Sequence, residues 1–154
     1  MGHRVIVAPG QLGYGDEPLT GLLAHEITHV AVGAANITLP VWLREGLASW
    51  VQAGRRPLDL PAGVRLEAAL GVPQMPPDGS FHASAWGPSY LIAQYSVLWL
   101  AQNFGSQAPF DLVAAMAAEP GDFRAGSALL EERYGVTTDE LAAEAGRLIA
   151  ASSG

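Results

Sequence analysis

Two histidines and a glutamate in the segment LLAHEITHVAVG, residues 22–33, have the types and spacing of a metal site. His25 and His29 stand four residues apart with Glu26 directly after the first, which makes the pattern H-E-x-x-H. On an α-helix four residues turn about 400°, so both imidazoles share one side and can reach one ion at about 2.0–2.1 Å. The spacing therefore predicts zinc ligands at both histidines, with Glu26 beside the open coordination position as a general base.

The same pattern has an ordinary explanation, in which two satisfied core histidines happen to flank a glutamate. By composition alone H-E-x-x-H occurs by chance in roughly a few of every thousand chains of this size. A glutamate on an otherwise apolar helix is costly to bury unless it is paired or ligates a metal. This cost favours the metal interpretation.

A third ligand must come from elsewhere in the chain. A catalytic zinc site usually has three protein ligands and a water, and no third histidine follows His29 in the pattern H-E-x-x-H-x-x-G-x-x-H. Glu45 lies sixteen residues after His29 in LPVWLREGLASW, where most of its neighbours are apolar. We expect Glu45 on the apolar face of a helix and Arg44 on the solvated face, which favours a ligand over a solvated glutamate beside Arg44.

Together the two segments resemble the gluzincin branch of zinc metallopeptidases, specifically the peptidase MA-like domains with H-E-x-T-H and W-L-x-E-G-x-A. The segment YLIAQYSVLWLAQNFG, residues 90–105, is similar to the Tyr-led helix of that family, and the resemblance covers about residues 22–145. It implies a zincin fold, zinc held by the two histidines and Glu45, and Glu26 as the general base of a metalloendopeptidase.

The resemblance also implies an electrophilic partner for the oxyanion of the reaction, often a tyrosine or a histidine. Tyr90 matches the family's tyrosine position, and His82 in the loop GSFHASAW is the second candidate. Each has an ordinary alternative, since a tyrosine at a helix start is commonly a core residue with its hydroxyl at the rim, and a loop histidine is commonly solvated. Both candidates stay open at this point.

The elements that position these residues are predicted mainly as helices. Residues 4–8, RVIVA, predict a short strand ended by a Pro-Gly turn, with a second extended piece around 12–14. Apolar periodicity and caps predict helices over 18–33, 41–53, 64–70, 88–104, 110–119, 123–134 and from the Thr137–Glu140 capping box to about 151, with a long irregular stretch over 71–87. These elements predict an α+β, mostly helical fold with a short N-terminal β element followed by about six helices, and the resemblance implies that this is a minimal zincin fold.

The first helix carries apolar residues at helical spacing, which predict the face that it turns to the core. These residues are Leu22, Leu23, Ile27, Val30 and Ala34.

Composition limits the remaining possibilities. The 154 residues, 49% hydrophobic and 15% charged, predict one globular domain over 1–154. Eight arginines against fifteen acids, with no lysine and Arg55–Arg56 as the one adjacent basic pair, exclude a nucleic-acid footprint. The chain has no cysteine, which excludes disulfides, thiol catalysis and thiolate metal ligands. No apolar run approaches the roughly 18 residues of a membrane span. The resemblance to metallopeptidases implies a peptide or protein substrate as the partner, and the oligomeric state stays open.

The segment before the motif is short, with 24 residues ahead of His25. Zincin peptidases usually lay their substrate along the edge of an upstream sheet, so the alternative is a catalytically weak or inactive metallopeptidase-like module that binds a partner. No signal-peptide pattern opens the chain. We expect a soluble, cytoplasmic protein as the chain stands, and a secreted or membrane-anchored one if it is a fragment.

Overall fold

The structure, a computed structural model, describes residues 16–33, 39–57, 73–83, 88–118 and 123–152. Within these ranges the chain is mostly helical and contains no strand. The elements are α1 (Asp16–Gly33), α2 (Val41–Gln52), a 3₁₀ helix (Asp78–Ala83), α3 (Pro88–Phe104), α4 (Ala108–Ala118), α5 (Phe123–Tyr134) and α6 (Thr138–Ala151).

The helix boundaries predicted from the sequence agree with these elements to within two residues. The capping box is confirmed, because Thr137 Oγ1 accepts a hydrogen bond from the Glu140 N–H and a Glu140 carboxylate oxygen accepts one from the Thr137 N–H. The prediction of an irregular stretch over 71–87 was wrong in one part, because Asp78–Ala83 forms a 3₁₀ helix. The strand at 4–8, the extended piece at 12–14 and the helix at 64–70 lie outside the described residues.

Helix α2 is central to the packing, with α1 on one side and α3 on the other, and α3 also packs against α6 and α4. The interior is built from large aliphatic and aromatic side chains that are removed almost completely from solvent, among them Leu43, Leu47, Trp50, Leu91, Leu100, Leu141 and Ile149. Their burial supplies most of the free energy that holds the helices together. No helix within these ranges combines the length and apolar character needed to cross a membrane.

A glycine sets how closely α2 and α3 approach each other. A Cβ atom added at Gly46 would lie 2.4 Å from the Ala93 carbonyl oxygen and 3.1 Å from a methyl of Val97. No side chain fits at that distance, so the backbones meet here because position 46 has none. Glu45 precedes this contact, and Tyr90 lies one turn before Ala93 on α3. The close approach therefore fixes where both side chains stand.

Helix α1 packs through a face that differs from the predicted apolar stripe. Ile27, a member of that stripe, is 58% exposed, whereas Thr28 and Val32 are buried. A Cβ added at Gly21 would lie 3.4 Å from Cγ of Gln52, which marks the side of α1 that faces α2. This side also carries both histidines, whose rings meet Glu45 of α2. The prediction for Ile27 was wrong because α1 turns its imidazoles, rather than this isoleucine, toward its neighbour.

We predict that Gly46→Ala lowers the free energy of unfolding by about 1–3 kcal/mol, since the added methyl forces α2 and α3 apart. Chemical denaturation monitored by circular dichroism measures the change. Gly79→Ala is the matched control, because a Cβ at Gly79 meets nothing within 4 Å. Equal stability of the two variants would contradict the close approach at Gly46.

Candidate metal centre

Three side chains from two helices converge between α1 and α2. His25 and His29 project from successive turns of α1, and both imidazoles are partly buried. Glu45 projects from α2 and is only 7% exposed. Its burial agrees with the prediction that Glu45 lies on the apolar face of its helix. The structure thus brings together the three residues that the two sequence motifs nominate.

The distances among the three donor atoms are compatible with one tetrahedral ion. Nε2 of His25 and Nε2 of His29 lie 2.9 Å apart. The Oε2 atom of Glu45 lies 3.3 Å from Nε2 of His29 and 3.9 Å from Nε2 of His25. Ligands at about 2.0–2.1 Å from a tetrahedral zinc are about 3.3–3.4 Å from one another. The observed separations scatter around that value, and the donor set of two imidazoles and a carboxylate suits zinc.

The pKa shifts of His25 and Glu45 favour the protonation states that a metal requires. Burial lowers the pKa of His25, and the neighbouring His29 acts in the same direction, so the ring favours its neutral form. Burial alone would raise the pKa of Glu45, but the hydrogen bond and charge of His29, together with the charges of His25 and Arg44, outweigh it and the net pKa is lowered. A neutral imidazole and an ionised carboxylate are the forms that coordinate zinc.

Two further residues lie beside the candidate ligands, and neither was predicted from the sequence to have such a role. Nε of Arg44 lies 3.7 Å from Oε1 of Glu45, on the oxygen that does not face the histidines. Nδ1 of His25 is buried and has no hydrogen-bond partner among the described residues, and the nearby Gln52 side chain acts to raise the pKa of that ring. A ligand histidine normally donates its second N–H to an oxygen. Gln52 lies two turns after Glu45 on α2, where its side-chain oxygen could accept the N–H of His25. The seven-residue spacing, which places Gln52 on the same face of the helix as Glu45, is the sequence signal that could have identified it.

The other predicted residues lie outside the three-ligand cluster. Glu26 is partly buried and close enough to His25 to act on its pKa. Tyr90 lies in the first turn of α3 and is partly buried, and its pKa is raised by burial and by the Glu45 carboxylate. His82 lies at the end of the 3₁₀ helix and is exposed, with Nδ1 2.7 Å from the Tyr90 hydroxyl oxygen. The two oxyanion candidates are therefore in contact with each other.

Comparisons with known proteins add no family to this description. No family model matches the chain, and neither the curated proteins nor the solved structures contain a match.

We predict that the purified protein binds one zinc ion per chain and that Glu45→Gln weakens this binding by more than about tenfold. Loss of a residue that merely orients a ligand costs about 10–100-fold in affinity, so loss of a ligand costs at least as much. Competition with a chromogenic chelator measures the affinity.

The matched control for this measurement is Glu144→Gln, which removes a partly buried carboxylate of α6 that pairs with Arg147 away from the cluster. It is expected to bind zinc like the wild type. Equal affinities of the Glu45 and Glu144 variants would exclude Glu45 as a ligand.

Proposed function

We propose that the protein is a zinc-dependent metallopeptidase of the gluzincin type. The observation that carries this proposal is the convergence of His25, His29 and Glu45, with their donor atoms within 4.8 Å of one another. An H-E-x-x-H helix joined by a glutamate from a following W-L-x-E-G-x-A helix is the arrangement that the sequence resemblance implies. The proposal includes the zincin fold, with residues 4–8 as its N-terminal β element.

Zinc held by these three residues would lower the pKa of a bound water and polarise the carbonyl of a peptide bond. Glu26, next to His25 but outside the ligand set, then takes a proton from the attacking water as a carbon–oxygen bond forms. The same carboxylic acid returns the proton to the amide nitrogen as the carbon–nitrogen bond breaks. Glu26 ends each cycle ionised, so water and peptide balance against an amine and a carboxylic acid.

The oxyanion that develops on the peptide carbonyl needs a hydrogen-bond donor. Tyr90 supports this role, because burial and the Glu45 charge raise the pKa of its phenol and so keep the proton on oxygen at neutral pH. His82 is the other candidate and is exposed beside Tyr90. Both residues lie within the part of the chain that packs on α2.

We predict that Glu26→Gln keeps zinc at one per chain and lowers kcat/KM for peptide cleavage by at least about a hundredfold, the range expected for loss of a general base. Zinc content is measured by elemental analysis, and cleavage by digestion of a quenched fluorogenic peptide library.

The matched control is Glu132→Gln, which changes an exposed carboxylate on α5 in the same way. Activity that persists in the Glu26 variant would contradict the mechanism. Stoichiometric zinc without cleavage of any peptide by the wild type would favour the alternative function, a metallopeptidase-like module that binds a partner.

A further inference from the structure

We propose that His82 is a positioning residue, which donates its Nδ1–H to the Tyr90 hydroxyl oxygen and leaves the phenol proton free for the oxyanion of a bound substrate. This inference rests on the proposed function and assigns separate roles to the two oxyanion candidates. Tyr90 contacts the substrate, and His82 acts through Tyr90.

The contact between the two side chains allows only one productive arrangement of protons. Nδ1 of His82 and the hydroxyl oxygen of Tyr90 lie 2.7 Å apart, a short hydrogen bond. A phenol has a single proton, so a hydroxyl that donates to Nδ1 has nothing left to donate to a substrate. When Nδ1 carries the proton, the phenol oxygen accepts the hydrogen bond and the phenol O–H stays available to a second acceptor.

The 3₁₀ helix holds His82 in place from both of its ends. At its start, Oδ1 of Asp78 accepts a hydrogen bond of 2.9 Å from the backbone N–H of Val41, the first residue of α2. Near its end, Phe81 is completely buried and its ring packs edge-on against His82 and Tyr90, with centroid distances of 5.5 and 4.9 Å. The His82 ring is thus fixed relative to both the ligand-bearing helix and Tyr90, although its own surface is exposed.

Burial also favours a Tyr90 phenol that keeps its proton. Burial is the largest effect on the pKa of this phenol and raises it. In the proposed step the Tyr90 O–H hydrogen-bonds to the oxyanion without transferring its proton. The proton on Nδ1 of His82 likewise stays in place throughout.

The protonation of His82 is measured directly by ¹⁵N NMR of the zinc-loaded protein labelled at histidine, at mildly alkaline pH where imidazoles are neutral. His82→Asn assigns the His82 signals by their loss. We expect Nδ1 to carry the proton and its resonance to shift in Tyr90→Phe. An unprotonated Nδ1, or a resonance unchanged by Tyr90→Phe, overturns the proposal.

The consequence for the oxyanion is tested with a phosphinic peptide, whose tetrahedral P–O⁻ stands in for the oxyanion. Binding to the zinc-loaded protein is measured by calorimetry for His82→Phe, Tyr90→Phe and the double variant. We expect each single change to weaken binding by about tenfold, as for loss of a hydrogen bond to a charged group, and the double variant to lose no more than Tyr90→Phe alone. His82→Asn, whose amide N–H can take the place of Nδ1–H, should remain within about threefold of the wild type.

Ser80→Ala is the matched control, since it changes an exposed side chain on the same 3₁₀ helix and leaves the imidazole intact. Additive losses in the double variant, unchanged binding in His82→Phe, or a wild type that does not bind the phosphinate would each overturn the proposal. Digestion of the peptide library distinguishes failure of the positioning role from failure of the proposed peptidase function. Coupled phosphinate binding without cleavage contradicts the peptidase, whereas cleavage that is indifferent to His82→Phe contradicts the positioning role.

Discussion

The buried carboxylate of Glu45 is the constraint on which the rest of the structure depends. An ionised carboxylate that is only 7% exposed is costly unless positive or polar partners surround it. The structure supplies His29 and His25 at one oxygen and Arg44 at the other. The partners come from both α1 and α2, so the same charge that would hold a metal also sets which face of α1 turns inward.

Two contacts of α2 connect the candidate metal centre to the pair formed by Tyr90 and His82. Gly46 lets the backbone of α3 approach α2 directly after Glu45, and Asp78 ties the 3₁₀ helix to the start of α2. One helix therefore carries the third candidate ligand, faces the histidines and positions Tyr90 and its partner His82. Displacement of α2 would disturb the candidate metal centre and the candidate oxyanion donor together.

The sequence predicted much of this local structure because its signals are local. Helix ends followed from caps and prolines, as at Thr137 and Pro88, and the three side chains of the candidate metal centre followed from helical spacing and one further motif. What it missed depends on tertiary contacts. The exposure of Ile27 depends on which side of α1 meets α2. The hydrogen bond between His82 and Tyr90 joins the 3₁₀ helix to α3, and residue spacing does not predict that these two elements come together. The N-terminal β element lies outside the described residues and stays a prediction.

The central claim is that α1 and α2 together form one zinc site, and a crystal structure of the zinc-soaked protein with anomalous diffraction at the zinc edge tests it most directly. We expect a single strong anomalous peak bonded to Nε2 of His25, Nε2 of His29 and a carboxylate oxygen of Glu45 at about 2.0–2.2 Å, with a water in the fourth position. A peak bound by a different set of side chains, or no peak between these helices, would contradict it.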